Sequence, residues 1–494
     1  PPVTGTEKEL ARLWAEILHL EKVGIKDNFF AIGGTSVLAT QLIVRFKETF
    51  GIQLPVRIFF DKSNIEQMAL YIDAVKSEQD QEKLNKDAIQ DYRANLREFL
   101  RGEVRLDESI KAEGKPGFKS AAESSDVFLT GATGFLGAFL LYEILNRTGC
   151  TVHCLVRASG EQEGMKRIAD NLSSYGIWDE SYSGRIRAVC GDMSKPLLGL
   201  STDVFEDLSG RIDMIYHCGA NTNFLEPYPM LKAANVGGTQ EILRLASAKR
   251  LKIVHFVSTH YVFSTISNPA DHAVHEDEIP SCNEVLIMGY QQTKLISEQM
   301  IVLARKRGIP VNIYRPGRIL GSSVTGACQN RDFVWLMTKC CVESGMVFAE
   351  NSKIELIPVD YVSEAIVAIS LNAAALNRNF HIVNLTRTPM GYISKWMEER
   401  GFRVEKYPYM EWKEKLTERI STGNGPDSVR AMLPFLNDEA EMEKSLRLGT
   451  ENTDEILKNS GVVRKEVDRE LFNKYLDYFI RTGFFTVPDD KNQI

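Results

Sequence analysis

The run VFLTGATGFLGAFLLYEILNR, residues 127–147, leaves the chain few choices of fold. An apolar strand stops at a turn with Gly131, Gly134 and Gly137 in G-x-x-G-x-x-G spacing and passes at once into helical period. Glycine lets the backbone turn tightly and lets another group come close to it. The helix that follows opens with free amide groups, where an anion such as a pyrophosphate is stabilised. Four more short apolar runs come after it: TVHCLVR, IRAVCGD, DMIYHCGA and KIVHFVST. Between most of them lie segments of helical period, such as NVGGTQEILRLASAK. Strand alternating with helix predicts an α/β chain with a doubly wound parallel sheet, wrapped on both faces. After about residue 385 the alternation weakens into helices carrying Trp396, Trp412 and Tyr475, which predicts a smaller, mostly helical C-terminal part.

The front of the chain follows a different plan. Leu10, Leu13, Trp14, Ile17 and Leu18 recur at helical spacing, with Thr6 and Glu9 placed for a capping box. A second helix is expected after Ser36, turning Leu38, Leu42, Ile43 and Phe46 inward, and a third around Ile65 to Val75. That predicts a small all-α bundle over residues 1–75. The run KSEQDQEKLNKDAIQD is charged and poor in large apolar residues, so 76–90 reads as an exposed linker or solvated helix. Residues 91–385 are then the nucleotide-binding domain and 386–494 its C-terminal substrate-binding part.

Composition excludes several other roles. A hydrophobic content of 44% supports sizeable buried cores, and a net charge of -7 argues against a nucleic-acid surface. No apolar run reaches membrane-spanning length, and PPVTGTEKEL lacks the basic and apolar regions of a signal peptide. The missing initiator methionine suggests a piece of a longer polypeptide. Eight scattered cysteines without a CxxC pair fit a reduced, cytoplasmic protein, and no histidine spacing calls for a metal.

Two stretches carry chemistry. In the first, the turn residues Gly131, Thr133, Gly134, Phe135, Leu136 and Gly137 form a dinucleotide site in the strand–turn–helix context that gives such glycines meaning. The second strand ends at Arg157, where a cofactor lacking a 2′-phosphate would usually meet an acid. A guanidinium can pair with that phosphate, so NADPH is expected, with Arg167 as a possible second charge. Asp192 falls where an adenine contact would lie, or it caps a turn. In the second stretch, KIVHFVST ends in Ser258 and Thr259, and GYQQTKLISEQ places Tyr290 and Lys294 four apart on one helix face. A tyrosine is a reluctant acid or base near neutrality, and a neighbouring ammonium is expected to lower its pKa. Lys294 would also hold the nicotinamide ribose, and Thr259 would meet charge developing on the substrate oxygen. His217, His255 and His260 read as packed or loop residues and Cys218 as core.

TGATGFLG, YxxxK and RPGRI together resemble the extended short-chain dehydrogenase/reductase superfamily, whose nucleotide-binding domain is Rossmann-like. CLVRA, GDMSKPLLGL, NVGGTQEILRLA and IPVDYVSEAI resemble the thioester reductase domains of nonribosomal peptide synthetases and carboxylic acid reductases. This likeness, from about residue 90 onward, implies Thr259, Tyr290 and Lys294 as the catalytic set. It also implies that Arg315 to Ile319, Pro316 included, line the cofactor and substrate pocket. DNFFAIGGTS in turn resembles the attachment loop of carrier domains, with Ser36 as the serine that receives 4′-phosphopantetheine; by itself Ser36 could equally be a helix N-cap. The two resemblances imply the terminal module of a modular synthetase. Upstream adenylation and condensation domains would load it, a phosphopantetheinyl transferase would modify it, and its carrier would dock on its own reductase. The thioester would leave as an aldehyde, or further reduced as an alcohol. The alternatives are a dehydrogenase or epimerase acting on free small molecules and a non-reductive cyclising release domain; loss of Tyr290 is what the second would be expected to show.

Overall fold

The computed structural model describes residues 1–30, 32–34, 38, 42, 45–46, 49–51, 64–77, 94–224, 226–263, 272–284, 286, 288–348, 353–421, 428, 446–484 and 486. Ser36 and Thr35 lie outside these residues, as does most of the charged run after residue 77.

At the front, helix α1 (Gly5–Leu18) and helix α2 (Ile65–Ser77) pack together with Leu42 and Phe46, which are helical. Leu10, Leu13, Trp14, Phe29, Leu42, Phe46, Ile65, Met68 and Ile72 make one buried cluster, and Trp14 meets Phe29 edge-on at 4.9 Å. The cap of α1 sits two residues earlier than expected. The chain offers T-x-x-E twice, and Thr4 with Glu7 forms the box, through Glu7 N–H to Thr4 Oγ1 at 3.1 Å and Thr4 N–H to Glu7 Oε2 at 3.0 Å. Thr6 is thereby taken into the first turn, where its hydroxyl donates to Asp73 of α2. The glycine pair before Ser36 is dictated by packing. Gly33 has φ of 104°, and a Cβ on Gly34 would lie 2.3 Å from the Phe29 ring.

The larger unit is a seven-stranded parallel sheet: β1 (Asp126–Thr130), β2 (Thr151–Val156), β3 (Ile186–Cys190), β4 (Met214–His217), β5 (Ile253–Val257), β6 (Val311–Pro316) and β7 (Asn379–Ile382). Their spatial order is β7-β6-β5-β4-β1-β2-β3, every pairing parallel. Successive residues of each strand serve opposite faces. Val127, Leu129, Val152 and Cys154 meet helices α3 (Phe135–Arg147) and α4 (Glu161–Ser174). Phe128, Leu155, Ile215 and Val254 meet α5 (Gly238–Ser247) and α6 (Gly289–Lys306) on the other face. Both faces being covered is why the strands read as nearly continuous apolar runs. Strand order reverses between β1 and β4, the switch point at whose carboxyl ends sheets of this kind bind their ligands.

A third cluster gathers Trp335, Trp396, Trp412, Phe472 and Tyr475. It joins α7 (Phe333–Ser344) and its neighbours to α8 (Arg469–Arg481), so the C-terminal part reaches back across the boundary expected at 385. Those earlier residues fall inside the alternating region, and only packing assigns them to this lobe. No helix among the described residues is long and apolar enough to cross a membrane.

Candidate active site

Beyond β1 the chain turns at Gly131, with φ of 87°. A Cβ there would stand 2.9 Å from Gly219 after β4, and one on Gly137 would stand 1.9 Å from the Gly131 carbonyl oxygen. The glycines therefore let α3 pack down on its own entry turn, with Gly134 as the N-cap. Phe135 is buried against Phe139 and Tyr175, so only its backbone can serve a ligand; Leu136 packs partly into the same core, and Thr133 is half-buried on the turn. This cradle fits a dinucleotide pyrophosphate: tight, without a Cβ at Gly131, Gly134 and Gly137, and opening on a helix N-terminus.

Below the turn lies a hydrogen-bond chain that motif reading does not find. Gly219 N–H donates to Thr130 Oγ1 at 2.9 Å, which lies 2.9 Å from His217 Nδ1. His217 Nε2 is 3.0 Å from Thr239 Oγ1, whose own proton goes to Asn235 O. Thr239 must then accept from Nε2–H, and Nδ1 must accept from Thr130. Burial, with Lys294 nearby, pushes His217 down to about 3, so the neutral ring is a fixed strut between β1 and β4.

At the adenosine end, Arg157 is exposed past β2, and Arg167 Nη1 donates to the Arg157 carbonyl. The two cations of the sequence reading thus share one corner. Asp192 caps a turn: its Oδ1 accepts from Ser194 N–H at 2.9 Å and Ser194 Oγ–H at 2.8 Å. Burial would raise its pKa, but these bonds and the Arg157 charge outweigh it and hold the carboxylate ionised.

Thr259 follows β5, buried, and its Oγ1 accepts from Tyr261 N–H at 3.3 Å, which leaves its own hydroxyl proton to donate. Tyr290 and Lys294 lie on the buried face of α6, and Lys294 Nζ donates to Val257 O at 2.8 Å, two residues before Thr259. Tyr290 packs edge-on against Phe224 at 5.1 Å and lies within electrostatic reach of Cys218 and Tyr261. The expected lowering of the tyrosine pKa is not what the structure gives. Burial pushes Tyr290 up, and burial also brings Lys294 down to about 8 against the pull of Cys218 and Glu298. Desolvation penalises both charged forms, and the ammonium points to a backbone carbonyl instead. Tyr290 is thus a phenol across neutrality, a proton donor. Cys218 is not plain core: it is partly exposed beside both residues, with its thiol pushed up to about 12 by burial.

Two supports went unforeseen. Asn235 sits in a π turn (Ala233–Gly237) before α5. Its Nδ2 donates to Asn221 O and to Thr293 Oγ1, each at 3.0 Å, and Thr293 in turn donates to Tyr290 O at 2.8 Å. The NVGG run was the only hint, and the π turn itself comes from packing; such turns gather at functional sites. Arg315, expected to line the pocket, does not. It is fully buried, bonded to Glu298 Oε1 at 2.6 Å and to the carbonyls of Glu276 and Glu278, with its guanidinium over Phe263. Glu298 accepts from Ser258 Oγ as well, so this pair fixes the floor beneath Thr259 and Lys294. Pro316 ends β6, and its carbonyl lies 3.1 Å from His260 Nδ1.

Comparison with known proteins finds two families in order along the chain. Residues 8–72 match the phosphopantetheine attachment site family, and residues 129–366 match the family described as male sterility protein, an NAD-binding domain. A linear gramicidin synthase polypeptide of Brevibacillus parabrevis is 39% identical over 99% of this chain. The chain spans 10% of that relative and 38% and 47% of two fungal ones, so it is similar to a part of each. Among solved structures, the terminal R domain from the myxalamid PKS-NRPS pathway is 37% identical, with a TM-score of 0.74 over 80% of this chain and 100% of that one. A thiolation-reductase di-domain from an archaeal nonribosomal peptide synthetase shares the fold over 98% of this chain, with a TM-score of 0.72 at 23% identity and 99% of its own length covered.

Proposed function

We propose, for a chain that belongs to the terminal reductase domains of nonribosomal peptide synthetases and carries a phosphopantetheine-attachment domain ahead of its reductase, that it releases a carrier-bound acyl or peptidyl thioester by reduction to an aldehyde. The observation that supports this reading is Thr259 bonded to Tyr261, Tyr290 within electrostatic reach of that same Tyr261, and Lys294 anchored on Val257 O, in a chain whose glycine turn fits a dinucleotide.

The cradle of Gly131, Gly134 and Gly137 and the cations Arg157 and Arg167 would hold NADPH, which supplies the hydride when bound. Tyr290, kept protonated by burial, donates to the oxygen of the thioester carbonyl as negative charge develops there. Thr259 donates to the same oxygen with the proton its turn leaves free. Two donors fixed in advance act where water is excluded, and such preorganised donors are worth several kcal/mol each. Lys294, anchored on Val257 O, keeps a positive charge below that site up to a pH of about 8.

We assign Ser36 as the attachment point and residues 1–75 as the carrier. The charged run after them is read as a linker, and the substrate lobe is drawn from the cluster that joins Leu320, Trp335 and Phe348 to Trp396, Trp412 and Phe472. The assigned partners are upstream adenylation and condensation domains, a phosphopantetheinyl transferase and the chain's own carrier, and the assigned compartment is the cytoplasm. The test is NADPH oxidation by phosphopantetheinylated protein loaded with an acyl thioester, beside a Ser36→Ala variant put through the same loading. Oxidation by the loaded wild type alone, with an aldehyde or alcohol released, is the expected result. Product release without NADPH oxidation would replace this reading with cyclising release.

A further inference from the structure

We infer that Arg318, at the carboxyl edge of the sheet beside the catalytic set, reads a secondary-amide carbonyl on the thioester substrate. The inference rests on the reductive-release reading.

Arg318 follows β6 by two residues, and its Nη2 donates to the Tyr261 hydroxyl at 2.6 Å. Tyr261 is two residues past Thr259 and lies within electrostatic reach of Tyr290, so one side chain, Tyr261, joins the guanidinium to the neighbourhood of the catalytic set. The Arg318 Cζ lies over the rings of Tyr261 and Phe333, 5.6 and 5.3 Å from their centroids. Tyr261 is itself fixed, its ring 4.0 Å from that of His260, whose Nδ1 meets Pro316 O. The turn that presents Arg318 is fixed too. Glu355 accepts from Arg318 N–H at 3.1 Å and from Asn384 N–H at 2.9 Å, and any Cβ on Gly317 would collide with that carboxylate at 2.2 Å.

Within this rigid setting Arg318 Nε is buried and has no partner among the described residues. A buried donor left unsatisfied is destabilising, so a held guanidinium with a vacant edge points to an acceptor that arrives with the substrate. Guanidinium only donates, so the ligand must bring an oxygen with lone pairs. Two acids already face the guanidinium: Asp332 and Glu355 lie in electrostatic reach, both carboxyls raised by burial, Glu355 to about 7, with Arg387 in reach of Glu355. A neutral carbonyl suits a site where burial already makes two carboxylates costly better than a third carboxylate does. Amide carbonyls occur near the thioester both on an aminoacyl or peptidyl chain and on the pantetheine thiol.

The experiment uses the whole chain and four small thioesters in trans: N-acetylglycyl or pentanoyl, each on N-acetylcysteamine or pentanethiol. These have matched lengths and differ in where an amide stands. Arg318→Met is expected to lower kcat/KM by about ten- to a hundredfold for thioesters with the amide on the side Arg318 reads, the loss of one charge-assisted bond. The pentanoyl–pentanethiol ester, which has no amide, should lose least, so the readout is each ester's loss relative to this one. Loss confined to N-acetylglycyl esters assigns the acyl chain; loss confined to N-acetylcysteamine esters assigns the arm. Tyr261→Phe, which removes the phenol oxygen steadying Arg318, is expected to give the same pattern more weakly, and NADPH affinity checks that both variants are folded. An equal loss on all four esters, or none, overturns the inference alone. A wild type that binds NADPH and reduces none of the four overturns the reductive reading and this inference with it.

Discussion

At the scale of single residues, the site works by making charged forms expensive. Burial keeps Tyr290 a phenol and brings Lys294 down to about 8. Tyr290→Phe therefore removes the proton donor, and turnover should fall by about 10²–10⁴ with NADPH affinity intact; single-turnover NADPH oxidation beside a binding titration measures both. The ammonium of Lys294 is the form present below its pKa and is lost as pH rises through it. A profile of kcat/KM should accordingly bend downward above a pH of about 8, and Lys294→Arg should move that bend upward. Folding answers to the same group. A lysine whose folded pKa is depressed contributes stability that is present above its unfolded pKa and is lost as pH falls toward about 8. Arg157→Asp should erode the preference for NADPH over NADH, read as the ratio of the two kcat/KM values. An unchanged ratio would remove Arg157 from the site. Most of these residues were legible, because strand ends and a Tyr-x-x-x-Lys spacing are local facts. The sign of the Tyr290 shift was not, since it depends on how much water the fold removes from around it.

Between elements, two clamps set the geometry. Asn235 and Thr293 tie the loop after β4 to the turn of α6 that carries Tyr290. Glu298 and Arg315, both fully buried, tie α6 to β6 and to the segment around Glu276. Breaking one partner of a buried pair strands the other charge. Arg315→Met should thus lower unfolding stability by about 3–5 kcal/mol, and pairing it with Glu298→Leu should recover much of that loss. Denaturant midpoints of the two single variants and the double variant decide it. The glycine turn was readable as an element because its steric demand is written in the residue type. The Glu298–Arg315 pair was not, because the partners are separated in sequence and meet only once α6 lies against β6.

For the whole molecule, the proposed function puts a carrier and a reductase on one chain, which would replace a diffusional encounter with a tethered one. Effective concentrations on short flexible linkers reach about millimolar, so tethering alone should raise turnover of a loaded thioester well above that of the same thioester on a separate carrier at micromolar concentration. Comparing loaded wild-type chain with Ser36→Ala chain given loaded carrier in trans measures the gain, and equal rates would mean the tether does nothing. The helical front, the alternating sheet and the glycine cradle were determined by sequence alone, since period, residue size and turn chemistry act over a few neighbours. Tertiary structure alone decided that Thr4 rather than Thr6 caps the first helix, that Leu320, Trp335 and Phe348 pack with Trp396, Trp412 and Phe472, and that Arg315 faces a buried glutamate rather than the pocket. Each of those outcomes turns on which groups lose their water together, and that is settled between segments distant in the chain.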